Sequence, residues 1–248
     1  MNACLVVDLG PMEYGAAWAL QRRLVAARKA GALPDVLLLC EHAHVITLGR
    51  NGKLANLRVS PDALRQTGVS LFETDRGGDI TYHGPGQLVG YPILNLAEIR
   101  RDVAWYVRSL EEAMIRASAE FGVAARRVAG RTGVWVDRRS GPGGPSPEEE
   151  KLAAIGVHLS RWVTSHGFAY NVSTDLSYFD LIVPCGIVDK RATSLEKLLG
   201  RRVKMGDVSA RIAAHLGGVF GLEMREASRD ALEVLFAAQE QQTAAAAV

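Results

Sequence analysis

RGGDITYHGPGQLVGYPILNL, residues 76–96, sets five glycines, at 77, 78, 84, 86 and 90, among strand-forming residues. Glycine inside a sheet costs stability, so it marks a bulge, a sharp bend or a place where something approaches the backbone closely. The stretch lacks G-x-x-x-x-G-K-[ST], and no G-x-G-x-x-G precedes a helix, so it is not a nucleotide loop. Three strand-like pieces, 70–74, 79–83 and 88–94, are separated by glycine turns, and Gly84-Pro85-Gly86 reads as a hairpin turn. A hairpin does not account for Gly77-Gly78 beside Arg76, or for Tyr82-His83 at the far strand end. An arginine, bare backbone, an aromatic and a histidine suit the lining of a narrow, partly apolar slot.

Upstream, residues 4–9 read as a short strand, and the spacing of Tyr14, Trp18, Leu24 and Val25 gives an amphipathic helix over 12–29. Continuous apolar runs at 36–40 and 45–48 read as buried strands, and 61–66 as a helix. Downstream come a long helix at 103–121 and a short strand at 133–136. SGPGGPSPEEE, 140–150, reads as a mobile loop that forms neither helix nor ladder. Ile155, Val157 and Leu159 alternate with polar or small residues, as do Phe168, Tyr170 and Val172. The two runs, joined near 160–164, form an antiparallel hairpin. The apolar run LIV at 181–183 reads as the end of a buried strand that opens into a loop at Pro184. Thr193-Ser194-Leu195-Glu196 is a T-x-x-E capping box for a short helix ending at Gly200, and helices follow at about 206–220 and 228–241 before a tail expected to fray. Strands in the middle and helices at both ends, without βαβ alternation, predict an α+β fold with a mixed, largely antiparallel sheet flanked by helices.

The 248 residues suffice for one large domain, and 48% hydrophobic with 23% charged residues is typical of globular chains. A net charge of +2 is too small to argue for nucleic acid, although scattered arginine pairs offer a mildly basic face to an acidic protein partner. Three cysteines without regular spacing predict reduced thiols in the cytoplasm, and the absence of C-x-x-C and H-x-x-x-H predicts no metal site. The N-terminus does not read as a signal peptide, and no segment reaches the ~20 apolar residues of a membrane span.

Cys185, in the LIVPCGI stretch, sits where a thiol faces a cleft, unless it is one more small buried hydrophobe. An unperturbed thiol, with a pKa of about 8.5, is only a few per cent thiolate at neutral pH. A hundredfold gain in thiolate needs about 2.7 kcal/mol. One ammonium about 4 Å away contributes on the order of 4 kcal/mol at an effective dielectric near 20. Lys151, at the start of the hairpin run, is the candidate; taken alone it reads as a solvated charge after three glutamates.

Residues 76–96 strongly resemble the signature segment of lipoyl(octanoyl) transferases. The resemblance continues through EHAHVITLGR at 41–50, GVWV at 133–136, KLAAIGVHLSRWVTSHGFAYNV at 151–172 and DLSYFDLIVPCGI at 175–187, and spans about residues 4–220. It departs at Ala43, where the family usually has proline, and at 140–150, which looks like an insertion. The resemblance implies the biotin/lipoate protein ligase catalytic-domain fold over 1–225, with 226–248 as a C-terminal helix and tail. It places Cys185 and Lys151 on the catalytic pair: Cys185 accepts octanoyl from octanoyl-acyl carrier protein as a thioester, and a lipoyl-domain lysine then takes it as an amide. The acceptors implied are the lipoyl domains of 2-oxoacid dehydrogenase complexes and the glycine cleavage H protein. No cofactor is implied beyond the carrier's phosphopantetheine, and a monomer is expected. Substrate contacts are implied at Arg76, Gly77, Gly78, Asp79, Ile80, Thr81, Tyr82 and His83, at Ala154, Ile155 and Gly156, and at Gly167, Phe168 and Ala169. His83 and His166 are candidates to bond the thioester carbonyl or to hold a loop, and His158 is expected to face the polar side of its strand. Six buried methylenes of an octanoyl chain are worth at most roughly 5 kcal/mol, enough to set a chain-length preference but not to exclude neighbouring lengths strongly. The alternatives are an ATP-dependent lipoate or biotin ligase on the same fold, a non-catalytic binding module with an ordinary Cys185 thiol, and a papain-type hydrolase, which Pro-Cys-Gly does not suit.

Overall fold

The computed structural model describes residues 2–138, 148–183 and 191–246. The chain opens with β1 (Asn2–Pro11), α1 (Tyr14–Lys29), β2 (Asp35–Glu41), β3 (Val45–Leu48), α2 (Pro61–Gln66), β4 (Ser70–Glu73), β5 (Ile80–His83) and β6 (Gln87–Ile93). It continues through α3 (Leu96–Ile99), α4 (Val103–Glu120), β7 (Ala125–Val128), β8 (Arg131–Arg138), β9 (Glu148–Ser160) and β10 (Val163–Asn171). The described residues end with β11 (Arg191–Ala192), α5 (Leu195–Leu199), α6 (Met205–Phe220), β12 (Leu222–Glu226) and α7 (Arg229–Ala246).

The main sheet runs β12-β1-β2-β6-β10-β9-β8-β7, with β11 added to β9; a smaller sheet runs β4-β3-β5. Pairing is mixed and mostly antiparallel, as expected: β1 joins β2 and β12 in parallel, while β2, β6, β10, β9, β8 and β7 join antiparallel in turn. Both faces of the main sheet are covered. Leu37 and Leu39 pack with Leu110, Met114, Ile212 and Phe220 of α4 and α6. Their strand neighbours Val36, Leu38 and Cys40 pack with Leu20 and Leu24 of α1 and Leu232 and Phe236 of α7. A strand buried on both faces loses the alternation that marks a half-exposed one, which is why DVLLLC reads as one unbroken apolar run. No helix among the described residues is long and apolar enough to cross a membrane.

Several expectations change. Gly84-Pro85-Gly86 is not a hairpin turn, because β5 pairs with β3 in the small sheet and β6 with β2 and β10 in the large one. The turn carries the chain between sheets; Gly86, at φ +79°, is pinned by its N–H to Glu41 Oε2 at 2.7 Å. Glu148–Glu150 belong to β9 and pair with β8, so the ladder starts inside the stretch read as a loop; residues 139–147 lie outside the described residues. Glu149 meets the Arg126 and Arg131 guanidinium groups at 3.0 and 2.9 Å, which compensates consecutive carboxylates in a strand. Leu181–Val183 do not end a strand. Leu176–Leu181 form a 3₁₀ helix, and Ile182 makes one isolated bridge to Leu57. The cap of α5 is Ser194, whose Oγ accepts from Lys197 N, rather than Thr193. Glu196 bonds Val203 N at 2.7 Å and takes no part in a capping box. The hairpin β9–β10 stands as read, closed by Arg161 and Trp162 at φ +50° and +65°.

Candidate active site

A cavity of about 940 Å³ opens where the two sheets meet. Its wall is built from the glycine-rich strap 76–81, the middle of β9 (Ala154–Val157), the facing part of β10 (His166–Ala169) and Lys151. All the substrate-binding residues expected from the sequence line it except Tyr82. Tyr82 is fully buried in the small sheet, its hydroxyl 2.7 Å from His44 Nδ1 and its ring stacked on Tyr178 at 5.0 Å. In β5 it points away from the slot.

The strap keeps its shape because it is tied on both sides. Arg50 N and Asn51 N donate to the carbonyls of Arg76 and Gly78, and Gly77 N donates to Val157 O at 2.8 Å. Arg76 is a buried structural cation. It donates to Thr47 O at 2.6 Å and to Gly77 O at 3.0 Å, so its charge holds strap and small sheet together. Contact with β9 requires Gly156, where a Cβ would stand 2.8 Å from Gly77 O and 3.1 Å from Arg76 Cδ. Gly90 leaves the space that the Phe168 ring fills.

The histidines have assignable tautomers. Gln87 Nε2 donates to Asn171 Oδ1 at 2.9 Å, so Gln87 Oε1 is an acceptor and His83 Nδ1 carries the proton it receives, at 2.7 Å. His83 Nε2 is then a lone-pair acceptor, which cannot donate to a thioester carbonyl. Burial, with the His42 and Arg76 charges nearby, brings the His83 pKa down to about 3, the hydrogen bond to Gln87 opposing them. His166 donates from Nε2 to Asp75 Oδ1 at 2.8 Å, again leaving a lone pair on the other nitrogen. Burial lowers its pKa despite the partner. Both histidines are thus tied into the wall of the cavity, His83 to Gln87 and His166 to Asp75. His158 is partly buried beside Asp75, Nε2 to Oδ2 at 3.6 Å, with Nδ1 2.5 Å from Arg50 Nη2.

The His83 shift has a consequence for stability. Below its ordinary value of 6.5 the unfolded chain takes up a proton on His83, and the folded chain does not until about pH 3. Between those values His83 withdraws up to about 1.4 kcal/mol per pH unit as pH falls. Urea midpoints of His83→Gln should therefore decline less than wild type between pH 6.5 and 4; equal slopes would refute the buried neutral imidazole.

A chain of amides, not foreseen from the sequence, runs from His83 to Lys151. Gln87 donates to Asn171, Asn171 Nδ2 to Thr193 O at 2.9 Å, and Thr193 N to Lys151 O at 2.9 Å. Neutral amides at strand ends look like ordinary edge residues in a sequence; only their burial, at 2% and 4% exposure, marks Gln87 and Asn171 as part of the site.

Lys151 lies between β8 and β11, paired with Trp135 on one side and Ala192 on the other. A register shift in β8–β9 adjoins it, and its Nζ stands 4.6 Å from the Trp135 ring centroid. Gly133, at φ +120°, makes room: a Cβ there would stand 3.5 Å from Lys151 Cε and 2.5 Å from Ala153 O. Cys185 falls outside the described residues. Val183, two residues before it, and Arg191, six after, line the same cavity as Lys151. Cys4 and Cys40 are buried, and burial pushes both thiols far above their ordinary range. Iodoacetamide at neutral pH should therefore label the native protein once, at Cys185, with Cys4 and Cys40 reacting only in denaturant; peptide mass mapping checks this.

The lipoyl protein ligase A/B catalytic domain matches residues 13–217. A curated octanoyltransferase of Solibacter usitatus is 52% identical over 224 residues, covering 90% of this chain and 96% of that protein. One from Acidobacterium capsulatum is 55% identical over 198 residues, covering 77% of this chain and 78% of that protein. Among solved structures, the bipartite lipoate protein ligase of Thermoplasma acidophilum superposes with a TM-score of 0.70 at 17% identity, covering 92% of this chain and 87% of that one. A lipoate-protein ligase A bound with ATP gives 0.69 at 16%, covering 92% and 89%. At such identities the structures establish the fold alone, that of the lipoate ligases. The sequence relatives reach further, and with them the match over residues 13–217 makes this chain a member of the lipoyl protein ligase A/B catalytic domain family.

Proposed function

We propose that the protein is an acyltransferase that moves an octanoyl group from octanoyl-acyl carrier protein to the ε-amine of a lysine on a lipoyl domain, through a thioester on Cys185. The observation that carries this is the single cavity shared by the glycine strap, Lys151 and both flanks of the segment containing Cys185. It stands beside a half-identity to curated octanoyltransferases. Its volume, about 940 Å³, lies at the upper end of the roughly 300–1,000 Å³ of small-molecule sites and holds an acyl chain with the end of a prosthetic arm.

In the first half-reaction the Cys185 thiolate attacks the thioester carbonyl. The carrier's C–S bond breaks, and its thiolate leaves with a proton from the Lys151 ammonium. In the second, neutral Lys151 takes a proton from the attacking lysine amine. The new C–N bond forms and the Cys185 thiolate is expelled. Thioester exchange is near neutral in energy and amide formation is downhill, so the cycle uses no nucleotide and no cofactor beyond the carrier's phosphopantetheine.

The test is the intact mass of the protein after exposure to octanoyl-acyl carrier protein without ATP. One added octanoyl group is expected, absent in Cys185→Ser and discharged by a lipoyl domain. A requirement for ATP would point to the ligase chemistry of the fold relatives instead, and an adduct that survives in Cys185→Ser would remove the thioester.

A further inference from the structure

We propose that a second cavity, of about 530 Å³ between α1 and the β9–β10 hairpin, is a binding site for inorganic phosphate or the phosphate group of a small molecule. Arg22, Lys29 and Arg161 line it. Arg22 lies over the Trp18 ring, 4.9 Å from its centroid, which fixes the guanidinium at the rim. Lys29 Nζ donates to Ser160 Oγ at 2.8 Å, and Arg161 occupies the first position of the hairpin turn at φ +50°. Buried Gln21 lines the cavity too: its Oε1 accepts from His166 N at 2.8 Å, and its Nε2 has no partner among the described residues. An amide N–H₂ without an acceptor at 1% exposure is costly and calls for a ligand oxygen.

The charge balance favours an anion. The carboxylate lining the cavity, Asp75, is held by His166 at 2.8 Å and lies 3.6 Å from His158. Three cations thus face one engaged carboxylate. Burial and the Arg161 charge lower the Lys29 pKa, so this ammonium is held where an anion would relieve it. Guanidinium, ammonium, amide and hydroxyl donors around one small space match a tetrahedral oxyanion.

The phosphodiester of the carrier's prosthetic arm is a poor fit. Ser160 lies nine residues along β9 from Lys151, about 30 Å away at strand spacing. An arm of about fifteen bonds spans roughly 20 Å at most. A free phosphate or a phosphorylated small molecule remains. The Asp75–His166 pair is a shared wall, since His166 lines the first cavity and Asp75 the second.

Titration of the intact protein with inorganic phosphate, followed by side-chain amide resonances and by calorimetry, tests this against chloride at matched ionic strength. Saturable binding at about 1 mM or tighter is expected, with a shifted Gln21 amide. At least tenfold weaker binding is expected in Lys29→Met and in Arg161→Asn, the latter suited to the left-handed conformation. Octanoyl transfer by both variants in phosphate-free buffer should equal wild type, which separates this test from that of the transferase chemistry. A linear response matched by chloride, or unchanged affinity in both variants, would overturn the site.

Discussion

Lys151→Met is expected to lower kcat/KM for octanoyl transfer by about 10³- to 10⁴-fold while leaving the fold intact. Methionine keeps an unbranched stem against Trp135 and the same place in the ladder, since the bond from Thr193 N uses the Lys151 carbonyl rather than its side chain. What disappears is the ammonium. If it stands about 4 Å from the Cys185 sulfur, its loss removes on the order of 4 kcal/mol of thiolate stabilisation, offset in part by desolvation. That alone returns the thiol to a few per cent ionised at neutral pH. Loss of the proton relay adds its own factor of roughly 10² or more, though the two losses overlap. Rapid-quench kinetics measures the transfer, and the pH profile of Cys185 alkylation measures its cause. The profile should move toward the ordinary thiol range in the variant; an unmoved profile would show that Lys151 does not set the thiol's ionisation.

Gly156→Val is expected to cost about a hundredfold in kcat/KM with a melting temperature only several degrees lower. The obstacle is backbone: the new Cβ would stand 2.8 Å from Gly77 O, and the strap is bonded to the next residue of β9 through Gly77 N–Val157 O at 2.8 Å. Either the strap lifts or β9 shifts. Overpacking of this kind costs typically 1–3 kcal/mol, a few degrees per kcal/mol for a chain of this size. Displacing a slot wall by about 1 Å is enough for the hundredfold loss in rate. Gly218→Ala is the control: it lies in α6 with nothing within 4 Å of a Cβ and should leave activity unchanged. Wild-type kinetics in Gly156→Val would mean that the strap does not form the acyl slot.

The cavity-lining segments were legible by two routes. Gly77-Gly78 beside Arg76 read from the residues alone as a close approach, whereas Ala154-Ile155-Gly156 and Gly167-Phe168-Ala169, which face each other across β9 and β10, came from the family resemblance. Tyr82 reads as a slot residue in the sequence because nothing local shows that β5 joins β3 in the small sheet, where Tyr82 packs against His44 and Tyr178. Gln87 and Asn171 went unseen because a neutral amide carries no pattern until its burial is known. The Gly84–Gly86 turn was misread because a hairpin and a crossing between sheets use the same turn residues; β3 and β2, far away in sequence, decide the pairing. β7 and β12 were missed for a related reason, as short, largely polar strands that exist through their partners β8 and β1.

By itself the sequence determined the α+β class, the periods of its strands and helices, the glycines at points of contact, and the family resemblance with its pair Cys185 and Lys151. These are properties of neighbouring residues and fixed motifs. Only the tertiary structure decided which strands share a sheet, which nitrogen of His83 and His166 carries a proton, and that Arg22, Lys29 and Arg161 line one cavity with Gln21, whose Nε2 has no partner among the described residues. Those depend on contacts between residues far apart in the chain, 145 positions for His166 N to Gln21 Oε1, and on burial, which gives a polar group its cost and its charge state.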